Sequence, residues 1–169
     1  MSKYLLALLL AGFTLFVSKA QEKSEGGEVE TLLKQTNAIL SIGLKDVGSI
    51  KDADQNSLAV AKAVVRDEQK GTQLNGCRLD YKTKKMPTVG KHVYLDEDEI
   101  EEVIEAIDFI TDPNKIKSLS SVSYKSKSGI VLGVHISTAA KAYFIKIGED
   151  EFKVTDTILG SLKQLLQQM

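Results

Sequence analysis

Several residue types are absent or rare in this sequence, and their absence excludes some kinds of stabilisation and function. It has no tryptophan, one cysteine, two prolines and two histidines in 169 residues. Because Cys77 is alone, no internal disulfide can form, and packing must supply the stability of the fold. Lys and Arg number 22 against 23 Asp and Glu, for a formal net charge of −1. This balance argues against a nucleic-acid partner, which would require a strongly basic surface.

The spacing of the reactive residues predicts no catalytic, cofactor-binding or metal site. His92 and His135 each fall in a predicted strand, and neither has a His or Cys partner at zinc-ligand spacing. The sequence also has no Gly-x-Ser-x-Gly elbow and no phosphate-binding glycine-rich loop. Cys77 shares a strand face with Leu79 and Tyr81, which favours a small buried core residue over a nucleophile paired with a histidine.

One polar stretch resembles the beginning of a calcium-binding loop. Asp52, Asp54 and Asn56 offer side-chain oxygens at alternate positions. Ser57 stands where the loop needs its glycine, and Ala63 stands where it needs its bidentate glutamate. We therefore interpret the stretch as a polar turn between two strands.

The first twenty residues have the pattern of a signal peptide. Lys3 precedes the apolar run Leu5–Val17, which is too short for a spanning helix, and Ser18 and Ala20 are small residues at a cleavage site. We expect export to the periplasm or the outside of the cell, with the mature chain beginning at Gln21 and no membrane anchor remaining. Cleavage would remove two lysines and no acid, so the net charge would become −3. A flexible lead-in over 21–27 and a single domain over 28–169 would follow.

The clearest helix in the sequence begins after Asp96. Asp96 is a good N-cap, and Glu99 lies three residues later, where it completes a capping box. An apolar stripe then follows at spacings of three and four, and Asp112-Pro113-Asn114 ends the helix. The stripe consists of Ile100, Val103, Ile104, Ile107 and Ile110. The acidic first turn reads as a capped, solvated helix end in preference to a metal site.

A second helix after Thr155 carries a matching stripe, formed by Leu159, Leu162 and Leu166. When the sequence is aligned with itself at an offset of 59 residues, Asp96 aligns with Thr155, and the turn near Gly71 falls close to the turn near Gly129. We therefore predict two strand-rich halves, each closed by a helix. Alternation predicts strands at Ala38–Ile50, Ser57–Asp67, Gln73–Tyr81, Val93–Leu95, Leu119–Lys125, Ile130–Ile136 and Lys141–Ile147. A basic loop over Lys82–Gly90 and a helical turn or two near Val29–Leu33 complete the prediction.

The predicted fold class is α+β: one antiparallel sheet of about six strands with two helices on one face. The face away from the helices is rich in small side chains. Ala59, Ala61 and Ala63 lie along one strand, and we expect Gly76 and Gly133 at corresponding places in neighbouring strands. We expect Val29–Ile50 to cover this face in part, with the remainder serving as a binding surface.

Three passages and the export signal resemble a family of small exported bacterial proteins of unknown function. The passages are Gly76–Tyr81, Tyr94–Ile100 and Ser123–Gly129. In that family a strand pair with a Gly-x-Arg run precedes a Leu-Asp-x-Asp-Glu helix start and a Tyr-x-Ser-x-x-Gly hairpin. The likeness covers most of the chain after about Ala38, although this chain lacks the tryptophan expected near Tyr143. These motifs are caps and turns, so the resemblance implies a fold and no activity.

Two functional hypotheses follow from the sequence. The first is an exported, non-enzymatic interaction domain that binds a protein or a small ligand at the sheet face. The second is a small hydrolase whose site is assembled from dispersed acids and a histidine. The hydrolase requires a concave pocket with convergent titratable groups near His92 or His135, whereas the binding domain requires an uncovered sheet face.

Overall fold

The computed structural model describes residues 26–117 and 119–169. The predicted signal peptide and most of the lead-in over 21–27 lie outside the described residues. The helices are α1 (Glu28–Leu33), α2 (Glu97–Thr111), α3 (Pro113–Ile116) and α4 (Asp156–Leu166). The strands are β1 (Leu40–Lys51), β2 (Ser57–Asp67), β3 (Thr72–Thr83), β4 (Met86–Asp96), β5 (Ser121–Lys125), β6 (Ile130–Ile136), β7 (Lys141–Ile147) and β8 (Asp150–Val154).

The α+β class is confirmed, but the prediction of one six-stranded sheet is wrong. The strands form two antiparallel sheets of four, in the orders β1-β2-β3-β4 and β5-β6-β7-β8. We call them the first and the second sheet. Two strands were not fully predicted. The predicted loop over Lys82–Gly90 holds a tight turn between β3 and a long β4. Phe152 and Val154 belong to the additional strand β8. Alternation identifies a strand but not its partner, so it could not reveal that pairing stops at α2.

One hydrophobic core joins both sheets and both longer helices. The inner face of the first sheet contributes Leu58, Leu79 and Leu95, and that of the second sheet contributes Ile130, Leu132 and Ile145. Helix α2 inserts Val103, Ile107 and Ile110 into this core, and α4 inserts Leu159, Leu162 and Leu166. The predicted stripes are therefore largely correct, with the exception of Ile104, which is only partly buried at the edge of the core.

The two halves share the order of four strands followed by a helix. Asp96 and Thr155 are the N-caps of α2 and α4, as the shift of 59 residues predicted. The predicted match between the turns at Gly71 and Gly129 is wrong, because Gly71 joins the second and third strands of its half whereas Gly129 joins the first and second. The strands of the second half are shorter than those of the first, so a constant shift of 59 residues cannot align all of the turns.

The predicted end of the helix at Asp112 is followed directly by a second, short helix. Helix α2 ends at Thr111, and Pro113 occupies the first turn of α3. A proline is favoured there because the first turn of a helix leaves its N–H groups unpaired. The Asp112 carboxylate accepts a hydrogen bond from the Asn114 N–H at 2.9 Å and caps α3. Within the described residues, no helix is long and apolar enough to cross a membrane.

Candidate interaction surface

The candidate site is the outer face of the first sheet, the side turned away from α2 and α4. The strand register places Ala59 beside Asp80 and Asp80 beside His92. One step along, Ala61 lies beside Arg78 and Arg78 beside Tyr94. Because cross-strand partners project to the same side of a sheet, these residues form two adjacent rows on one surface.

Helix α1 covers one end of this outer face. Val29 and Leu32 are buried there in a small second core with Ala63, Val65 and Tyr94. The expected partial cover is thus present and comes from α1, whereas Leu40–Ile50 belongs to β1, which extends the sheet as an edge strand.

Gly76 permits the close approach of α1. A Cβ atom at Gly76 would lie 2.3 Å from the Leu95 carbonyl oxygen and 3.3 Å from a Val29 methyl group. Gly133 does not extend this surface as predicted, because it lies in β6 of the second sheet. Small residues in two sheets cannot be distinguished from small residues in one sheet by spacing alone.

The part of the outer face beyond α1 carries an ordered cluster of polar side chains. The Arg78 guanidinium donates to Asp80 Oδ1 from Nε at 3.1 Å and from Nη2 at 2.7 Å. The same group lies 5.7 Å from the centre of the Tyr94 ring, and His92 packs edge-on against that ring at 5.6 Å. Burial opposes the charge on Arg78, but Asp80 and Tyr94 outweigh it, so that the pKa of Arg78 is raised. We call Arg78, Asp80, His92 and Tyr94 the arginine cluster.

Two features border the arginine cluster. Ala59 is half-buried and Ala61 is buried, so the surface beside Arg78 and Asp80 is low. On β1, the larger Ile42 and Leu44 leave 47% and 45% of their surface exposed. They stand opposite Val65 and Ala63, which lie under α1, so this apolar edge flanks the covered end of the outer face. The β1 neighbours of Ala59 and Ala61 are instead Ser49 and Asp46, so the open surface combines a charged cluster, a low strip and a polar edge.

The structure separates Cys77 from both histidines, and the histidines from one another. Cys77 is fully buried on the inner face, where burial raises its thiol pKa to about 12. His92 is exposed on the outer face of the first sheet, and His135 is exposed on the outer face of the second. His135 stacks on Phe144 at 4.9 Å, and Phe144 fills the space above Gly133, its cross-strand partner.

The calcium-like stretch forms the turn between β1 and β2. Asp52 is buried, and both of its carboxylate oxygens accept hydrogen bonds at 2.8 Å from Asn56, one from the backbone N–H and one from the side-chain amide. Asp52 thus holds its own turn, as the sequence interpretation proposed. Across the described residues, no group of three or more His, Cys, Asp or Glu side chains is arranged to hold a metal ion.

A shallow groove of about 480 Å³ lies where the end of α2 meets the start of α4. Its lining includes Thr111, Lys141, Tyr143 and Asp156, and neither histidine takes part. Burial, together with the charge of Asp156, raises the pKa of Tyr143 and keeps the phenol protonated. The groove therefore lacks the histidine and acid arrangement that the hydrolase hypothesis requires.

Asp96, Glu99 and Ser128 form a buried polar cluster that was not predicted from the sequence. Glu99 is fully buried; its carboxylate accepts from the Asp96 N–H at 3.0 Å, the Ser128 N–H at 2.8 Å and the Ser128 hydroxyl at 2.6 Å. The Asp96 carboxylate accepts from the Val29 N–H at 2.9 Å. The sequence showed the capping-box pattern of Asp96 and Glu99. It did not show that Asp96 also holds α1 and that Glu99 also holds the β5–β6 turn.

Comparison with known proteins assigns no role to the outer face of the first sheet. No protein-family model, curated protein or solved structure matches the chain. The resemblance to a family of small exported bacterial proteins stays a prediction.

Proposed function

We propose that the protein is an exported, non-enzymatic interaction domain that binds a protein partner through the outer face of its first sheet. The observation that carries the proposal is the arginine cluster on the uncovered part of that face. Export is proposed from the signal-peptide pattern of residues 1–20. The mass of the exported chain tests the export step: it should begin at Gln21, and a chain that still begins at Met1 would contradict the cleavage.

The arginine cluster has the properties of a preorganised contact site. Arg78 is held by two hydrogen bonds to Asp80, so binding need not pay for the ordering of its long side chain. Arginine is among the side chains most often found to dominate binding at protein interfaces. Tyr94 is only 4% exposed at the border of α1, and its part is to support the guanidinium. The low strip at Ala59 and Ala61 leaves room for a partner side chain beside the guanidinium. Asp80 occupies the Nε and Nη2 side of the guanidinium, and the Tyr94 hydroxyl accepts one N–H of Nη1. One N–H on Nη1 and one on Nη2 are left, and this pair fits an exposed carboxylate of the partner.

The shape of the surface favours a protein partner over a small molecule. Small ligands are bound in concave pockets that enclose most of their surface. The arginine cluster instead lies on the open face of a sheet, and its rows continue through Ala59 and Ala61 to Ser49 and Asp46 on β1. A wide surface of this kind, with an arginine and other polar groups beside short side chains, is typical of a protein contact.

Hydrolysis remains the alternative function, and one arrangement favours it. Asp80 and His92 are cross-strand partners, which places an acid beside a histidine on one face of the sheet. Asp80 is already engaged by Arg78, however, and Cys77 lies on the opposite side of the sheet. If purified protein turns over ester or peptide substrates and His92→Ala abolishes that turnover, the hydrolase replaces the binding proposal.

Site-specific photo-crosslinking in the producing cell tests the binding proposal. A photoreactive amino acid replaces His92, and the matched control carries it at Glu105, an exposed position of α2. We expect a discrete cross-linked protein from position 92 only. Arg78→Ala in the same chain should weaken that product strongly. Equal products from positions 92 and 105, or none from position 92, would contradict the proposal.

A further inference from the structure

The open edge of the first sheet carries a short sequence with internal symmetry. The segment Leu40–Leu44 reads Leu-Ser-Ile-Gly-Leu, so its three large apolar residues are placed evenly about Ile42. Ser41–Asp46 are all exposed, and among the described residues β1 pairs only with β2. Natural proteins usually protect a long apolar edge strand with charge, proline or cover. This segment has none of these devices.

The backbone of this segment is oriented to accept another strand. The Glu68 N–H donates to the Ile39 carbonyl at 2.9 Å, so the amide groups of Ile39 face β2. Amide groups alternate in direction along a strand. Those of Leu40, Ile42 and Leu44 are therefore directed to the open edge, and these are the same three residues that carry the apolar side chains.

We propose that the partner of this edge is a second copy of the chain, paired antiparallel about a two-fold axis at Ile42. That register places Ile42 opposite Ile42 of the second copy, and Leu40 opposite Leu44. Each of these pairs would exchange two backbone hydrogen bonds. On the outer face, the partly exposed Ile42 and Leu44 would cover one another across the seam. The inference does not rest on the proposed function, since it uses the strand edge and leaves the arginine cluster free.

Alternative two-fold registers are less favourable. An axis at Leu44 would place Ile42 opposite Asp46, and an axis at Gly43 would place Leu40 opposite Asp46. Axes at Lys45 or Asp46 would place like charges directly opposite one another, which destabilises a strand pair. An axis at Ser41 would place Leu44 opposite Ala38, which lies before the start of β1. Among these registers, the one at Ile42 alone sets all three large apolar residues against one another.

The surroundings of β1 also favour a closed dimer over an open chain of copies. Helix α1 packs on β2, β3 and β4, Leu40 lies against the rim of the small second core, and Leu165 of α4 lies against β1 at Gly48. Ser41–Leu44 are exposed, so a second strand can reach this part of the edge. A bulge between Asp46 and Gly48 interrupts the ladder just beyond the apolar segment. Because the two-fold uses the same edge of both copies, pairing consumes that edge and cannot continue.

Sedimentation of the purified chain, from about 1 µM to about 1 mM, measures the association. The wild-type chain should pass from monomer to dimer. Ile42→Lys, which would oppose two lysines at the axis, should raise the dimer dissociation constant by about ten-fold or more. The matched control is Phe109→Lys, at an apolar residue of α2 that is 40% exposed, and it should leave dimerisation unchanged. A wild-type chain that is monomeric throughout, or a dimer that survives Ile42→Lys, overturns the proposal.

Disulfide trapping tests the register itself. Residues opposite one another in a hydrogen-bonded pair have Cα atoms about 5.5 Å apart, within the range of a disulfide. Ile42→Cys should therefore form a covalent dimer on mild oxidation. Leu44→Cys should not, because in this register the two substituted positions lie about 13 Å apart along the strands. The native Cys77 is buried and does not interfere. Trapping through position 44, or none through position 42, overturns the register.

Discussion

The Asp96 carboxylate accepts a hydrogen bond from the Val29 backbone N–H at 2.9 Å, across 67 residues of sequence. Asp96 is thus the N-cap of α2 and at the same time the anchor of α1. Helix α1 has only six residues and would not be stable alone. Its position over Ala63 and Val65, and hence the boundary of the open surface, depends on this contact.

Glu99 should be the most sensitive member of the buried polar cluster. Glu99→Ala removes the acceptor of three hydrogen bonds and leaves buried donors on Asp96 and Ser128 unpaired. We expect a loss of at least about 2 kcal/mol in the free energy of unfolding, measured by denaturant titration. The control Glu105→Ala, on the exposed side of the same helix, should change it by less than about 0.5 kcal/mol. Equal effects of the two variants would contradict the assigned role of Glu99.

The two halves of the α2 stripe should differ in sensitivity. Ile107 is 1% exposed, whereas Ile104 is only partly buried. Ile107→Ala should therefore lower the free energy of unfolding by about 2–5 kcal/mol, because it leaves a cavity in the main core. Ile104→Ala should cost clearly less. If Ile104→Ala proved the more damaging change in parallel denaturant titrations, the orientation of α2 would be wrong.

Cys77 should react slowly with thiol reagents in the folded protein. Its side chain is fully buried, and burial raises its pKa to about 12, so the reactive thiolate is scarce at neutral pH. Labelling should become fast and stoichiometric only in denaturant. Rapid labelling of the native chain would show that the inner face opens, and would revive the nucleophile hypothesis.

Asp67 should make stability depend on pH at the β2–β3 turn. Its burial pushes its pKa upward, but hydrogen bonds from the backbone N–H groups of Lys70 and Gln69 outweigh this, and the pKa is lowered from its ordinary value of 3.8. A lowered pKa in the folded state means that the ionised form stabilises the fold above about pH 4, and that this contribution is lost as the pH falls through the folded-state pKa. Asp67→Asn should therefore destabilise the chain at pH 7, and the difference from wild type should shrink below about pH 4. A difference that stays constant with pH would contradict this role.

The sequence predicted best those elements whose signal is local. The cap at Asp96, the stripe through Ile107 and the buried strand position of Cys77 all depend on residues within one or two turns of each other, and all agree with the structure. The helical turns at Val29 and the polar turn at Asp52 belong to the same group. In each of these cases, propensity and packing favour the same local conformation.

The prediction failed where strands had to be assigned to a sheet. Period-two alternation in β2 and β6 is the same whether the strands share a sheet or not, so two sheets were merged into one. The arginine cluster was missed for a related reason: Arg78, Asp80 and His92 meet through the β3–β4 register, and the predicted loop over Lys82–Gly90 hid that pairing. The role of Glu99 was missed because its partner Ser128 is 29 residues away.

The proposed binding surface requires that the outer face be core only where α1 covers it and open to solvent beyond α1. Thermal unfolding of Ala63→Glu and Ala59→Glu tests it directly, because both alanines lie in β2 and project to the same side. Ala63 is 1% exposed beneath α1, whereas Ala59 is half-buried beside the arginine cluster. We expect Ala63→Glu to lower the Tm by at least about 5 °C, since it buries a charge, and Ala59→Glu to leave it nearly unchanged. Equal losses in the two variants would mean that the whole face is core, and would contradict the proposed binding surface.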